Sequence, residues 1–147
     1  MSQYLRSDNY QEGKHLVSIE AETMEEENPD LSYLTEYQGG SAGETYTDEK
    51  GKKHTITKVQ EAKWRQQDKD RLESYGRTWW HIGVKAEAII YVEGVRQIIT
   101  SGGLWGIESD SNEKYIEEEK NTQIKELEEI LLSLGFTKKQ IEEVRKK

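Results

Sequence analysis

The chain has 147 residues, of which 33% are apolar and 34% charged, enough for one domain with a small core that must draw on its four Trp and eight Tyr. Cysteine is absent, which excludes a disulfide framework, a thiolate zinc site and a cysteine nucleophile, and fits a reducing compartment. The formal net charge of -8 disfavours direct nucleic-acid binding, because phosphate affinity comes mainly from Lys and Arg displacing counterions.

Residues 1–54 hold twelve acidic and five basic side chains, whereas residues 55–107 are slightly basic overall and residues 108–147 mildly acidic. An acidic front half of this kind suits a basic groove on another protein, with the field raising the encounter rate. Surplus carboxylates also serve the simpler end of keeping a small domain soluble. No apolar stretch approaches the ~20 residues that cross a bilayer, and the opening Met1 to Arg6 lacks the apolar core of a signal peptide. The expectation is a soluble protein acting in the cytoplasm, with no membrane contact.

Taken in chain order, Lys14 to Glu22 alternates Leu16, Ser18 and Glu20 with Val17, Ile19 and Ala21, the pattern of a strand with one apolar face. The acidic run Glu25-Glu26-Glu27 and the single proline, Pro29, end it. Asn28 before Pro29 predicts a helix start, with Leu31, Leu34 and Tyr37 along one side. Residues 38–55 contain four glycines and little apolar material, so they read as a flexible loop with a tight turn at Asp48-Glu49-Lys50-Gly51. From Thr57 to about Tyr75 good helix formers carry a thin apolar stripe, and Gly76 closes the helix.

The stretch from Trp79 through Thr100 is a β-hairpin on its residues alone. Trp80, Ile82, Val84, Ala86, Ala88, Ile90 and Val92 alternate with His81, Lys85, Glu87, Ile89 and Tyr91. With Glu93-Gly94 as a two-residue turn, Ile90 faces Gln97, Ile89 faces Ile98 and Ala88 faces Ile99. The segment Ser101-Gly102-Gly103-Leu104-Trp105-Gly106-Ile107-Glu108-Ser109-Asp110 reads as a compact loop, with Asp110 as N-cap and Glu113 completing a capping box. A long helix with Ile116, Ile124, Leu127, Ile130, Leu131 and Leu134 on one face follows. It ends at Gly135, and Thr137 with Gln140 caps a last short helix. The pattern is α+β: one domain over residues 1–147, a small antiparallel sheet around the 79–100 hairpin, and a helical C-terminal part over 112–147.

No catalytic signature stands out. The glycines of Ser101-Gly102-Gly103 lack the Gly-Lys-Ser/Thr that a phosphate loop needs, and tight backbone turning explains them. His15, His54 and His81 lack the paired spacing of a zinc site, and His81 falls on the more polar hairpin face, where an exposed or hydrogen-bonded ring is expected. Glu87, Glu108 and Asp110 are the one set that would converge as hard-metal ligands, although capping already accounts for Asp110. Trp105 is core or rim packing, or an anchor for a partner.

Trp64 to Asp68, Arg71 to Gly76, Trp79 to Ala86 and above all the string from Thr100 to Ser111 resemble a family of small proteins carried by bacteriophages and other mobile elements, over roughly residues 59 to 136. That family supplies no catalytic residues to carry over. The resemblance implies the context of an inhibitor aimed at host defence nucleases, as anti-CRISPR proteins are. The expected function is therefore non-enzymatic and without a cofactor: binding of a host defence complex, most plausibly a CRISPR effector, in the host cytoplasm. The expected contact residues are Glu25, Glu26, Glu27, Asp30, Trp105, Glu108 and Asp110. The alternatives are a metal-dependent enzyme built on Glu87, Glu108 and Asp110, and an accessory phage protein that binds an unrelated partner.

Overall fold

A computed structural model describes residues 12–146. In chain order the elements are β1 (Lys14–Glu25), α1 (Ser32–Thr35), β2 (Thr45–Thr47), β3 (Lys53–Thr55), α2 (Lys58–Ser74), β4 (His81–Val92), β5 (Val95–Thr100), β6 (Leu104–Glu108), α3 (Glu113–Ser133) and α4 (Lys138–Arg145). The fold is α+β, with a small antiparallel sheet and α3 as its longest helix. Among the described residues no helix is long and apolar enough to cross a membrane. Internal contacts gather into two compact units, one of residues 27–80 and one of the chain on either side of them.

In the larger unit β4 is the central strand. β1 pairs along one side of it, and β5 and β6 share the other, all antiparallel to β4. The β4–β5 register is the one the alternation predicts, with Ile90 opposite Gln97, Ile89 opposite Ile98 and Ala88 opposite Ile99. The two-residue turn works because Glu93 and Gly94 both take positive φ, 49° and 79°, as a turn matched to strand twist requires. On one face of the sheet Ile19, Ala86, Ala88 and Ile90 pack against Ile124, Leu127 and Leu131 of α3 and against Phe136 and Ile141. The small Ala86 and Ala88 let the helix come close, and Leu127 and Leu131 are fully buried, worth ~1.5–3 kcal/mol each in apolar transfer. Ile82, Val84 and Ile107 form a second cluster on the same face, with Leu104 and Ile116 against it.

β1 departs from simple alternation. Its register slips between Leu16 and Ser18, so Leu16 and Ile19 both reach the core while Val17 is 48% exposed. A bulge adds one residue and inverts the phase of everything after it. Val17 therefore leaves the apolar face assigned to it, and Leu16 takes its place.

The start of α3 also differs from expectation. Asn112 is the N-cap, its Oδ1 accepting the Lys114 N–H at 2.7 Å, and Asp110 lies in the preceding turn. The strand β6 runs on to Glu108, which pushes the helix start two residues beyond Asp110. At the other end the Phe136 N–H donates to the Leu131 carbonyl and the Gly135 N–H to that of Leu132, the expected glycine stop. Thr137 and Gln140 form a reciprocal capping box on α4.

In the unit of residues 27–80, Thr57 and Gln60 cap α2 in the same way. The first helix begins at Ser32, later than Asn28-Pro29 implies, with Asp30 Oδ1 accepting the Ser32 N–H. Trp79 is fully buried: its indole N–H donates to the Arg71 carbonyl and Ser74 Oγ, and the Arg71 guanidinium lies 3.7 Å above its ring.

Within residues 38–55, read as loop, β2 and β3 pair as a short hairpin around Asp48. The turn expected at Asp48–Gly51 is present, closed by the Gly51 N–H to the Asp48 carbonyl at 3.0 Å. The Asp48 carboxylate also accepts the Lys50 and Lys52 N–H groups and lies 2.7 Å from His54 Nε2. These bonds, that of His54 first, hold the Asp48 carboxyl below its ordinary range. A depressed pKa gives stability that is present above the unfolded value of ~3.9 and lost as pH falls through the folded one. The protection factors of the Lys50 and Lys52 amides should accordingly fall below about pH 4, and Asp48→Asn should remove that pH dependence. Protection factors that are flat across this window in the unsubstituted protein would show that the carboxylate does not organise the turn.

Candidate functional site

The Ser101-Gly102-Gly103 turn has a structural role that can be traced atom by atom. Between the pairs Glu87–Thr100 and Val84–Leu104, three steps along β4 are matched by four along the opposite chain, and a second extra residue enters before Ile107. β5 and β6 are thus one strand path broken by two bulges. At the first bulge the Ser101 side chain takes over pairing: its Oγ accepts the Ala86 N–H at 2.9 Å and donates to Gln123 Oε1 at 2.7 Å. The Gly103 N–H donates to the same Gln123 oxygen at 2.9 Å, and the Gly102 N–H to Glu126 Oε1 at 3.3 Å. Ser101 and Gln123 are both buried. The amides that a phosphate would need are already taken by α3, so the turning role given to these glycines from sequence holds here.

At the open end of the sheet the chain gathers several predicted residues. Glu26 Oε2 accepts the Gly106 N–H at 3.0 Å, and the Glu26 N–H donates to the His81 carbonyl. His81 Nδ1 lies 3.7 Å from the same carboxylate oxygen, and His81 is the strand partner of Glu108. His81 is only 3% exposed, so of the exposed or hydrogen-bonded ring expected of it the exposed alternative is ruled out. Alternation does place it on the non-helical face, but Glu26 and β6 close around it.

Trp105, one residue from Gly106, lays its indole over Gly83. A Cβ at Gly83 would sit 2.1 Å from Trp105 Cε3, so only hydrogen fits there, yet the indole remains 46% exposed. Glu26, Trp105 and Glu108 therefore meet at one end of one sheet. Glu25 lies exposed on the edge strand β1 opposite Ile82, and Asp110 is exposed in the turn after β6. Glu27 and Asp30 belong to the unit of residues 27–80.

The three carboxylates proposed as metal ligands do not converge. Glu87 is six residues along β4 from His81, the partner of Glu108, a separation of ~20 Å at strand rise. Among the described residues no group of three or more His, Asp or Glu is placed to hold a metal ion.

Both helices of the larger unit pack on one side of the sheet, and among the described residues of that unit no element packs on the other side. Strand alternation aims Glu20, Glu22, Lys85, Glu87, Tyr91, Arg96 and Ile98 at it. Glu20 stands directly opposite Glu87, a like-charge pair that costs stability, and Glu22 stands opposite Lys85, whose Nζ is 4.0 Å from Glu87 Oε1. Glu20, Glu22 and Glu87 are thus neighbours of Lys85 by register on this face. Ile98 is 49% exposed and Tyr91 is exposed beside it, with Trp105 at the far end.

The larger unit also carries the charge surplus, with half of its acidic side chains on α3 and α4 and therefore off this face. Residues 12–26 and 81–146 hold eighteen acidic and ten basic side chains, against ten and nine in residues 27–80. Sequence reading missed Glu20, Glu22, Tyr91 and Ile98 as a set because it had no register for β1. The signal available was the Glu20, Glu22 alternation itself. Comparison of the chain with protein-family models, with curated proteins and with solved structures finds no match.

Proposed function

We propose that the protein is a non-enzymatic inhibitor that binds a host defence complex, a CRISPR effector foremost, and that the helix-free face of its sheet is the contact surface. The observation that carries this reading is the Glu20–Glu87 pair beside Glu22, on a face that also presents Tyr91, Ile98 and Trp105. Like charges held opposite each other are relieved by a cation, and a basic groove built for nucleic acid supplies a row of them. The aromatic and aliphatic side chains provide the anchors that charge alone lacks. The likeness of the Thr100 to Ser111 string to mobile-element proteins supports the context.

Glu26 enters this reading as a residue that shapes the site, since its carboxylate is engaged by Gly106 and lies against His81. Glu108 and Asp110 sit at the end of this face, whereas Glu25, the partner of Ile82, is exposed on the helix side of the sheet edge. The test is co-elution with candidate effector complexes on a sizing column at two salt concentrations. Binding should weaken as salt rises. The triple variant Glu20→Lys/Glu22→Lys/Glu87→Lys should lower affinity at least ~10-fold while leaving the urea midpoint close to that of the unsubstituted protein, because all three side chains are solvent-accessible. Unchanged affinity in the triple variant would move the contact surface off this face.

A further inference from the structure

The unit of residues 27–80 contains an open groove of about 480 Å³ that the inhibitor reading leaves unused. Tyr33 on α1 and Tyr37 just after it form one wall. Trp64, Gln67 and Asp68 form the other, three residues that α2 presents on one side at helical spacing, and Gln38 lies at the rim. All three rings and the Asp68 carboxyl are half-buried. Among the described residues no Lys or Arg lines the groove itself, whose lining is three aromatic rings and one carboxylate, with Arg65 lying over the Tyr37 ring.

The groove already demonstrates the chemistry it favours. The Arg65 guanidinium lies 4.1 Å from the centroid of the Tyr37 ring, steadied by Glu61 Oε2 at 3.0 Å from Arg65 Nε. Glu61 in turn accepts the Ala42 N–H at 2.8 Å, fixing the loop beside the ring. Gly39 abuts the edge of Tyr37, whose hydroxyl donates to the Gly40 carbonyl, so this wall is preformed. Burial, then Glu61, and to a smaller degree Asp68 and Glu44, push the Tyr37 hydroxyl above the usual tyrosine range against the opposing pull of Arg65. A free aliphatic guest would satisfy the rings but not Asp68, and a phosphate or carboxylate would meet a wall of negative faces.

We infer that the groove between Tyr33, Tyr37 and Trp64 is a binding site for an organic cation, the alkylated ammonium or guanidinium head of a ligand, with the rings taking its weakly hydrated surface and Asp68 its charge. The site is independent of the acidic sheet face. A methylated lysine, a quaternary ammonium metabolite and an arginine side chain share this chemistry.

The experiment is titration of the full-length protein with Nα-acetyl-trimethyllysine amide and, separately, Nα-acetyl-arginine amide, followed by the NMR shift of the Trp64 indole N–H, assigned with Trp64→Phe. One cation should shift that signal saturably with a millimolar dissociation constant, about the strength of a few cation–ring contacts. Which one does so identifies the head group. The uncharged analogue in which a tert-butyl carbon replaces the trimethylated nitrogen should bind about 10-fold more weakly or worse, and Asp68→Asn should weaken the cation by a similar factor. Equal binding of the uncharged analogue, a saturable shift with maltose in preference to either cation, or no shift with either cation at about 50 mM, far above a millimolar constant, would each overturn the assignment.

Discussion

Gln123→Ala should lower the stability of the protein by about 3 kcal/mol, the sum of a truncated buried side chain and two donors deprived of their acceptor. One Gln123 oxygen receives both the Ser101 hydroxyl and the Gly103 N–H, and nothing beside it is free to replace it, since the nearby Glu126 already accepts the Gly102 N–H. Both side chains of the Ser101–Gln123 pair are at most 5% exposed, so water does not compensate without opening the sheet. Urea unfolding measures the loss directly, and a melting temperature lower by roughly 6–12 °C is its thermal counterpart for a chain of this size. Ser101→Ala removes the acceptor of the Ala86 N–H as well, and its effect should be coupled to that of Gln123→Ala in a double-mutant cycle by about 1 kcal/mol or more. A loss below about 0.5 kcal/mol for Gln123→Ala, the range of an ordinary surface substitution, would mean that the bulge does not depend on α3.

Gly83→Ala should change sign with its background. In a strand, replacing glycine by alanine ordinarily stabilises by ~0.4–1 kcal/mol through the unfolded chain, when the native backbone tolerates it. Gly83 is not among the glycines with positive φ, so its backbone suits alanine; what forbids the methyl group is the indole, with three Trp105 ring atoms within 2.8 Å of the Cβ position. Carbon atoms in contact need ~3.5–4.0 Å. The ring must therefore swing off the sheet and give up its buried half, for a net cost of ~1–3 kcal/mol. In Trp105→Ala the obstruction is gone, and Gly83→Ala should then stabilise. Urea midpoints of the four proteins decide the matter, and the same sign in both backgrounds would sink the packing argument. On the proposed function the displaced indole is also a lost anchor, so Gly83→Ala should weaken partner binding without touching a charge.

The 79–100 hairpin was legible because its information is local. Alternation sets which side chains share a face, and a two-residue turn leaves one register in which Ile89 meets Ile98. The capping box at Thr137 and the stop at Gly135 are equally local, a hydroxyl or a missing side chain within four residues of the amides it serves. By contrast β6 was read as loop, since Leu104-Trp105-Gly106-Ile107-Glu108 does not alternate cleanly. Its strand character comes from the free flank of β4 more than twenty residues earlier, left open because β5 stops at Thr100. The β2–β3 hairpin was hidden among glycines for a related reason: its organiser is one carboxylate, Asp48, whose three partners are recognisable only once the turn exists.

The candidate site divides in the same way. Trp105, Glu108 and the acidic run around Glu26 stand out from composition, and the sheet does bring Glu26, Trp105 and Glu108 together. The open face does not stand out, because Glu20 and Glu87 become neighbours only through the β1–β4 register, and that register contains a bulge at Val17. The burial of His81 and of Gln123 was not legible, because burial of a polar side chain depends on partners supplied by distant strands and helices. By itself the sequence determined the α+β class, the central hairpin, the stop of α3 at Gly135, the cap of α4 and the excess of carboxylates, all consequences of short-range sterics, hydrogen-bond capping and composition. Only the tertiary structure decided which carboxylates stand together, which histidine is enclosed and which rings line a groove, because like-charge proximity and burial are properties of pairs far apart in the chain that a one-dimensional pattern does not encode.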